Sequence, residues 1–207
     1  MSAPTFQPAR LAAPRATSHR AVTFRKAHTP AYLTVLGAGL MATAETASVA
    51  SRWLVHDGSP AARQLVQDLA LTSTLGQWLA VVSGLVWVVR VRANSDCFPG
   101  LEHRHSRAWV WAGWVVPVVS WWFPVQVLRD VRARTLPHTR TSKPLGAWWV
   151  SWVLLTVALA VRDRGPAPMA VATVVAACAV LSAVLWSVVV LRITAEQQAA
   201  RDWQESA

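Results

Sequence analysis

Four long apolar runs, separated by short segments rich in arginine, constrain this chain more than any other feature. The runs extend from Ala31 to about Ser51, from about Thr72 to Val89, from Leu145 to Val161 and from Met169 to Leu191. A helix of about 20 residues crosses a hydrocarbon core of roughly 30 Å. Charged residues make up 14% of the chain, whereas soluble domains contain about 25%. The sequence therefore predicts an all-α integral membrane bundle.

A fifth apolar segment, Trp109–Leu128, is long enough to span but contains Pro117 and Pro124. Each proline removes a backbone donor and clashes with the preceding turn. Membrane proteins tolerate such breaks where neighbouring helices or buried surroundings satisfy the freed backbone groups. The segment therefore either crosses as a kinked helix or remains on one side as a re-entrant or interfacial element.

The distribution of lysine and arginine separates these two topologies, because basic residues accumulate in short cytoplasmic loops. If all five segments crossed, the two sides would hold 11 and 9 basic residues, whereas keeping Trp109–Leu128 on one side gives 16 and 4. We therefore expect four transmembrane helices plus a proline-broken segment, with both termini cytoplasmic and the protein in the cell membrane. Five spans remain the alternative.

Three regions follow from this topology. Residues 1–30 are Arg-rich and contain no acidic residue, a composition that also occurs in transit peptides and signal n-regions. The following apolar run is too long for a signal peptide, so we expect a disordered basic cytoplasmic tail. Residues 31–194 form the predicted membrane domain, and residues 195–207 a second cytoplasmic tail.

The middle of the chain carries a family likeness. Residues 87–94 read WVVRVRAN, residues 109–117 read WVWAGWVVP, and residues 120–131 read SWWFPVQVLRDV. This pattern resembles the bacterial, largely actinobacterial domain-of-unknown-function family 4328, over roughly residues 30–198. Ser120 stands where the family pattern favours asparagine, and Phe123 where arginine is frequent. The resemblance implies a small multi-pass membrane protein and supplies no activity.

The proline block is the best candidate for a functional element. Pro124 suits the first turn of a helix, in which Val127, Leu128 and Val131 would share one face. Gln126, Arg129 and Asp130 would share the opposite face. This spacing predicts an interfacial amphipathic helix with Arg129 and Arg132 directed towards anionic lipid headgroups. A purely structural anchor is the alternative. The candidate residues are Pro117, Trp122, Pro124, Gln126, Arg129 and Asp130, together with Arg92 and Asn94 upstream.

Glu45 is a carboxylate within the first apolar run, near the polar residues Thr46, Ser48 and Ser51. An ionised carboxylate in lipid is costly, so Glu45 must face the bundle, be protonated or be paired. Arg52 lies seven residues further on, along nearly the same helical face. Structural pairing is one interpretation, and a proton relay or cation site is the other.

Two further residue groups have simple interpretations. Glu102, His103 and His105, near Asp96 and Cys97, are flanked by arginines that would repel a cation, so we expect a solvated loop and neither a metal nor a cofactor site. Tryptophan favours the headgroup level of a bilayer. We therefore expect aromatic belts, with an aromatic cage for a quaternary ammonium group as the alternative, at Trp148, Trp149 and Trp152 and at Trp109, Trp111 and Trp114.

No glycine-rich phosphate loop and no hydrolase or metalloprotease motif appears in the sequence. We therefore expect a non-enzymatic membrane scaffold or regulatory component, whose basic cytoplasmic face meets anionic headgroups or an acidic protein partner. A small homo-oligomeric transporter or channel subunit is the alternative. The net charge of +10 does not predict a nucleic-acid partner, because the basic residues lie between membrane-length apolar runs.

Overall fold

The structure is a computed structural model that describes residues 23–54, 59–98, 110, 113, 121–136, 143–164 and 169–206. These residues form five helices: α1 (His28–Leu54), α2 (Pro60–Ser95), α3 (Phe123–Thr135), α4 (Lys143–Arg162) and α5 (Met169–Ser206). Within the described part of the chain, α1, α2, α4 and α5 are long and apolar enough to cross a membrane. The predicted all-α bundle with four spans is therefore confirmed.

Two helices are longer than the apolar runs that predicted them. Helix α2 begins at Pro60, directly after the N-cap Ser59, whose hydroxyl accepts a hydrogen bond from the Ala62 amide at 3.2 Å. Serine as N-cap followed by proline in the first turn is a strong helix start. Helix α5 continues past Leu191 to Ser206, so the described part of the predicted second tail is helical.

Helices α1 and α2 form a tight antiparallel hairpin whose backbones nearly touch. A Cβ atom added to Gly37 would lie 2.5 Å from the Ala80 nitrogen, and one added to Gly76 would lie 2.7 Å from the Met41 nitrogen. Small residues permit such close approach of membrane helices. Nearby, the Thr34 hydroxyl donates to the Ala80 carbonyl at 2.8 Å, which fixes the register of the hairpin.

The bundle interior contains a tryptophan stack formed by Trp87, Trp148 and Trp186. The Trp186 ring meets Trp87 edge-on at 5.5 Å between centroids and lies 4.5 Å from Trp148. All three side chains are buried. The belt prediction is therefore wrong for Trp148, which joins α4 to α5 in the core and does not lie in an outer aromatic girdle.

Helix α3 lies at the same end of the bundle as the C-terminus of α2. Arg134 near its end donates from Nε to the Phe98 carbonyl at 3.2 Å, and the Trp121 carbonyl accepts from Trp149 Nε1 at 2.6 Å. The described residues on either side of the proline segment therefore lie at one end of the bundle. Half of Trp109–Leu128, including Pro117, and all of residues 1–22 lie outside the described residues.

Candidate functional site at the basic end

One end of the bundle, here called the basic end, is formed by the start of α1, the end of α2, helix α3, the start of α4 and the end of α5. The described residues place ten basic side chains there: Arg25, Lys26, Arg90, Arg92, Arg129, Arg132, Arg134, Lys143, Arg192 and Arg201. Five acidic side chains accompany them: Asp96, Asp130, Glu196, Asp202 and Glu205. The basic end is therefore strongly cationic, although several of its charges are buried in pairs.

Asn94 connects three parts of the chain at this end. Its carbonyl oxygen accepts a hydrogen bond from the Arg25 amide, and its Nδ2 donates to the Arg25 carbonyl, both at 2.8 Å. Gln197 of α5 lies beside it and donates from Nε2 to the Val91 carbonyl at 2.8 Å. Both amide side chains are fully buried, so they fix the segment before α1 and the end of α5 onto α2.

Arg132 of α3 forms a two-pronged ion pair with Glu196 of α5. Its Nε and Nη2 donate to the two carboxylate oxygens at 2.9 and 2.8 Å. This hydrogen bonding raises the pKa of the Arg132 guanidinium, which burial alone would lower. Arg192 donates to the same carboxylate at 2.9 Å. The prediction that Arg132 faces lipid headgroups is therefore wrong, because its side chain attaches α3 to α5.

Arg92 and Arg134 converge on Asp96 just after α2. Arg92 Nη1 lies 2.8 Å from Asp96 Oδ1, and Arg134 Nη1 lies 3.8 Å from the same oxygen. Arg92, which the sequence nominates as a site residue, is therefore buried and already paired. This cluster attaches α3 to α2, as the Arg132–Glu196 pair attaches it to α5.

Helix α3 has the two faces that its sequence spacing predicts. Pro124 lies in the first turn, and Val127, Leu128 and Val131 are buried. On the outer face Arg129 is exposed, and Gln126 and Asp130 are half-buried; Trp122, at the start of the helix, is also exposed. The candidate element thus has an inner face that packs into the bundle and an outer face on which Arg129 and Trp122 are exposed.

A groove, here called the end groove, lies between the last turn of α3 and the extension of α5. Its volume is about 520 Å³, and its lining residues include Phe98, Arg134, Leu136, Glu196 and Trp203. The Trp203 side chain is 72% exposed. This groove was not predicted from the sequence, because the polar end of α5 resembles a tail. The (i, i+4) pairs along it, such as Arg201 with Glu205, are the signal for a continuing helix.

Glu45 lies towards the other end of the bundle, which we call the opposite end, inside a three-residue cluster. The Ser73 hydroxyl donates to one of its carboxylate oxygens at 2.7 Å, and Arg162 Nη1 donates to the other at 2.9 Å. Glu45 itself is 8% exposed. Its cationic partner comes from the last residue of α4, and Arg52 on its own helix is exposed.

The loop with Glu102, His103 and His105, for which the sequence predicts no metal site, lies mostly beyond the part of the chain that the structure describes. No group of three or more histidine, cysteine or acidic side chains within the described part of the chain could hold a metal. Burial raises the pKa of the Cys97 thiol, and the Asp96 carboxylate raises it further, although Arg201 acts in the opposite direction.

A comparison with known protein families shows which family this chain belongs to. The sequence model of a family described as a domain of unknown function, DUF4328, matches residues 52–195. The chain belongs to the DUF4328 family. No curated protein and no solved structure matches the chain.

The DUF4328 match maps unevenly onto the site. It includes α2, α3, α4 and most of α5 but leaves out nearly all of α1, so the likeness begins later than the residue 30 expected from the sequence. Asn94, Asp96 and Arg132 lie inside the matched range. Glu196 and Gln197 lie just beyond it, and Glu45 lies before it. The residues that attach α3 to α2 thus all lie within the part of this chain that matches DUF4328.

Proposed function

We propose that this chain is a non-enzymatic membrane scaffold or regulatory component whose basic end lies on the cytoplasmic side and binds an acidic protein partner. The observation that carries the proposal is the end groove, with Trp203 at its edge. The four spans hold the chain in the bilayer, and α3 and the extension of α5 supply the folded surface.

Charge supports the cytoplasmic placement of the basic end. The described residues place ten basic side chains at this end and four at the opposite end, namely Arg52, Arg63, Arg162 and Arg164. Basic residues near spans favour the cytoplasmic side. Arg129 on the exposed face of α3 is positioned for contact with anionic headgroups, which contribute about 1 kcal/mol per basic residue near a membrane surface.

The end groove has the composition of a protein-binding surface. Protein interfaces concentrate their binding energy in tryptophan, tyrosine and arginine side chains that lie in or beside pockets. Here Trp203 is exposed beside a groove that also contains Arg134 and Phe98. A partner segment with an apolar anchor and flanking acidic residues would match the groove's apolar lining and the net positive charge of the basic end around it.

The arrangement around Glu45 favours this function over transport. A relay or cation site in a small oligomer requires the carboxylate at a shared interface or along a pathway. Glu45 instead bonds Ser73 and Arg162 of its own chain and is buried between α1, α2 and α4. Its local role is to fix three helices together.

Site-specific photocrosslinking in native membranes tests the proposal. A benzophenone amino acid in place of Trp203 is expected to give one discrete adduct with a different protein. The matched control is the same replacement at Trp53, which is exposed at the opposite end, and it should give no such adduct. Trp203→Ala should also abolish co-purification of the crosslinked protein while leaving the melting temperature unchanged.

Two results would overturn the proposal. One is adducts from position 203 that contain only further copies of this chain, which would favour the oligomeric transporter. The other is an equal set of adducts from positions 203 and 53, which would show that the end groove has no selective partner.

A further inference from the structure

A second cavity lies within the membrane part of the bundle and is unrelated to the end groove. Helix α2 packs on α1, and α4 packs on α5, while α1 and α5 pack together. This leaves a groove between α2 and α4, here called the lateral groove, with a volume of about 130 Å³. Because its mouth lies between two spans, molecules would enter it from the bilayer.

The lateral groove contains a buried hydroxyl group with no partner. Ser182 of α5 lines the groove and is 6% exposed, yet its hydroxyl makes no hydrogen bond to any described residue. By contrast, Ser151 and Ser187 each donate to a carbonyl of their own helix, Ser187 to Ala183 at 2.7 Å. A buried polar group without a partner destabilises the folded chain, so the groove is suited to a ligand that accepts a hydrogen bond.

Gln77 supplies a second polar group to the lateral groove. It lines the groove from α2, and its amide makes no hydrogen bond to a described residue. Gln77 lies inside the apolar run 72–89, more than one helical turn from its start. At that depth a bilayer presents hydrocarbon to a polar side chain. The amide is therefore also available to a ligand that enters the groove.

The walls of the lateral groove favour a flat ring. Trp148, Trp152 and Trp186 line it together with small residues such as Ala38 and Gly84. An apolar cavity of about 150 Å³ accommodates a benzene ring, so this volume fits one six-membered ring. A helix from a second copy, with a diameter of about 10–12 Å, would not enter it.

We propose that the lateral groove binds the ring of a neutral lipophile that carries carbonyl groups, such as a quinone-type ring with an apolar tail. The Ser182 hydroxyl and the Gln77 amide donate hydrogen bonds to the ring carbonyl oxygens. The tryptophan side chains pack against the ring, and the tail passes between α2 and α4 into the bilayer. The groove does not depend on the partner surface at the basic end.

Binding of a defined probe to the full chain in phosphatidylcholine nanodiscs tests this inference. Decyl-benzoquinone is expected to quench tryptophan emission saturably, because three tryptophans form the groove wall. Decylbenzene, which has a flat six-membered ring and the same tail but no carbonyl groups, should compete at least tenfold more weakly. A tenfold difference corresponds to about 1.4 kcal/mol, the scale of one hydrogen bond.

Two variants separate loss of binding from loss of folding. Ser182→Ala and Gln77→Leu should each weaken binding of decyl-benzoquinone about tenfold. Neither should lower the melting temperature, because neither side chain has a hydrogen-bond partner among the described residues to lose. Ser187→Ala is the matched control, since it removes a hydroxyl from the same helix at a position that does not line the groove, and it should bind the probe normally.

The inference would be overturned if quenching were linear in probe concentration, since this indicates collision within the bilayer. It would also be overturned if decylbenzene competed as well as the quinone, or if both groove variants bound the quinone normally. In these cases a lipid acyl chain is the occupant of the lateral groove.

Discussion

The two ends of the bundle each bury an ion pair, but they bury opposite partners. At the basic end, the Arg132 side chain is 7% exposed and that of Glu196 is 15% exposed. At the opposite end, the carboxylate of Glu45 is the buried partner, with its side chain 11% exposed, and Arg162 is 31% exposed. One end therefore encloses a cation and the other encloses an anion.

This difference determines which half of each pair should be more sensitive to mutation. Removing the more exposed partner leaves an unpaired charge that is buried, and this lowers the free energy of unfolding more than removing the buried partner does. Removing the buried partner leaves a group that can reach water or a remaining neighbour. At the basic end Glu196 should thus be the more sensitive position, and at the opposite end Arg162.

Glu196→Gln should have the largest effect, since it removes the carboxylate that both Arg132 donors bond. Breaking a buried pair on one side costs about 3–5 kcal/mol. Arg132→Gln should cost less, because Arg192 continues to bond Glu196. The melting temperature of the purified chain in detergent measures both variants.

Glu205→Gln is the matched control, because it breaks an exposed pair with Arg201 and should change stability by less than about 1 kcal/mol. If Glu196→Gln melted at the same temperature as Glu205→Gln, the buried pair would not stabilise the basic end.

Gly37→Ala should come next, because it affects both ends through the α1–α2 hairpin. The new methyl group would meet the backbone of Ala80 and Gly76, and overpacking of this kind costs about 1–3 kcal/mol. Gly39→Ala is the control two residues away, where a Cβ meets no atom within 4 Å, and it should leave the melting temperature unchanged or slightly raised. Equal melting temperatures for the two variants would contradict the close approach of α1 and α2.

Arg162→Gln tests the opposite end and should cost about 2 kcal/mol, because Glu45 then remains as a buried charged group hydrogen-bonded to Ser73. Glu45→Gln should cost about half as much, since glutamine can still bond Ser73 and the partly exposed Arg162 can reach water. Thermal melting again provides the measurement. The reverse order, with Glu45→Gln the more damaging, would contradict the assignment of the buried partner.

The smallest expected effect concerns the reactivity of Cys97 beside the basic end. Its raised pKa lowers the thiolate fraction at neutral pH, so N-ethylmaleimide should modify it several-fold more slowly than an unfolded thiol. A Cys178→Ala background isolates this signal. Glu196→Gln should speed the labelling and Arg162→Gln should not, because only the former loosens the end that contains Cys97. Equal acceleration by both variants would show that the two ends are not independent.

The sequence predicted the spans well because their length and apolar composition are local properties. The ion pairs depend on distant positions: Glu45 and Arg162 lie 117 residues apart, and Arg132 and Glu196 lie 64 apart. Nothing local in the sequence distinguishes the buried Trp148 from the exposed Trp122, since tryptophan suits both a core and a membrane interface. The amphipathic faces of α3 were predicted, but what the faces contact was not.

We propose, as the main consequence of the fold, that four spans bring α3 and both described ends of the chain to a single basic end on the cytoplasmic side. Reporter fusions after Arg140 and after Arg164 in living cells test it most directly. The account predicts a cytoplasmic signal from the fusion after Arg140 and an external signal from the fusion after Arg164. An external signal after Arg140 would place α3 and the start of α4 outside the cell and contradict the four-span arrangement.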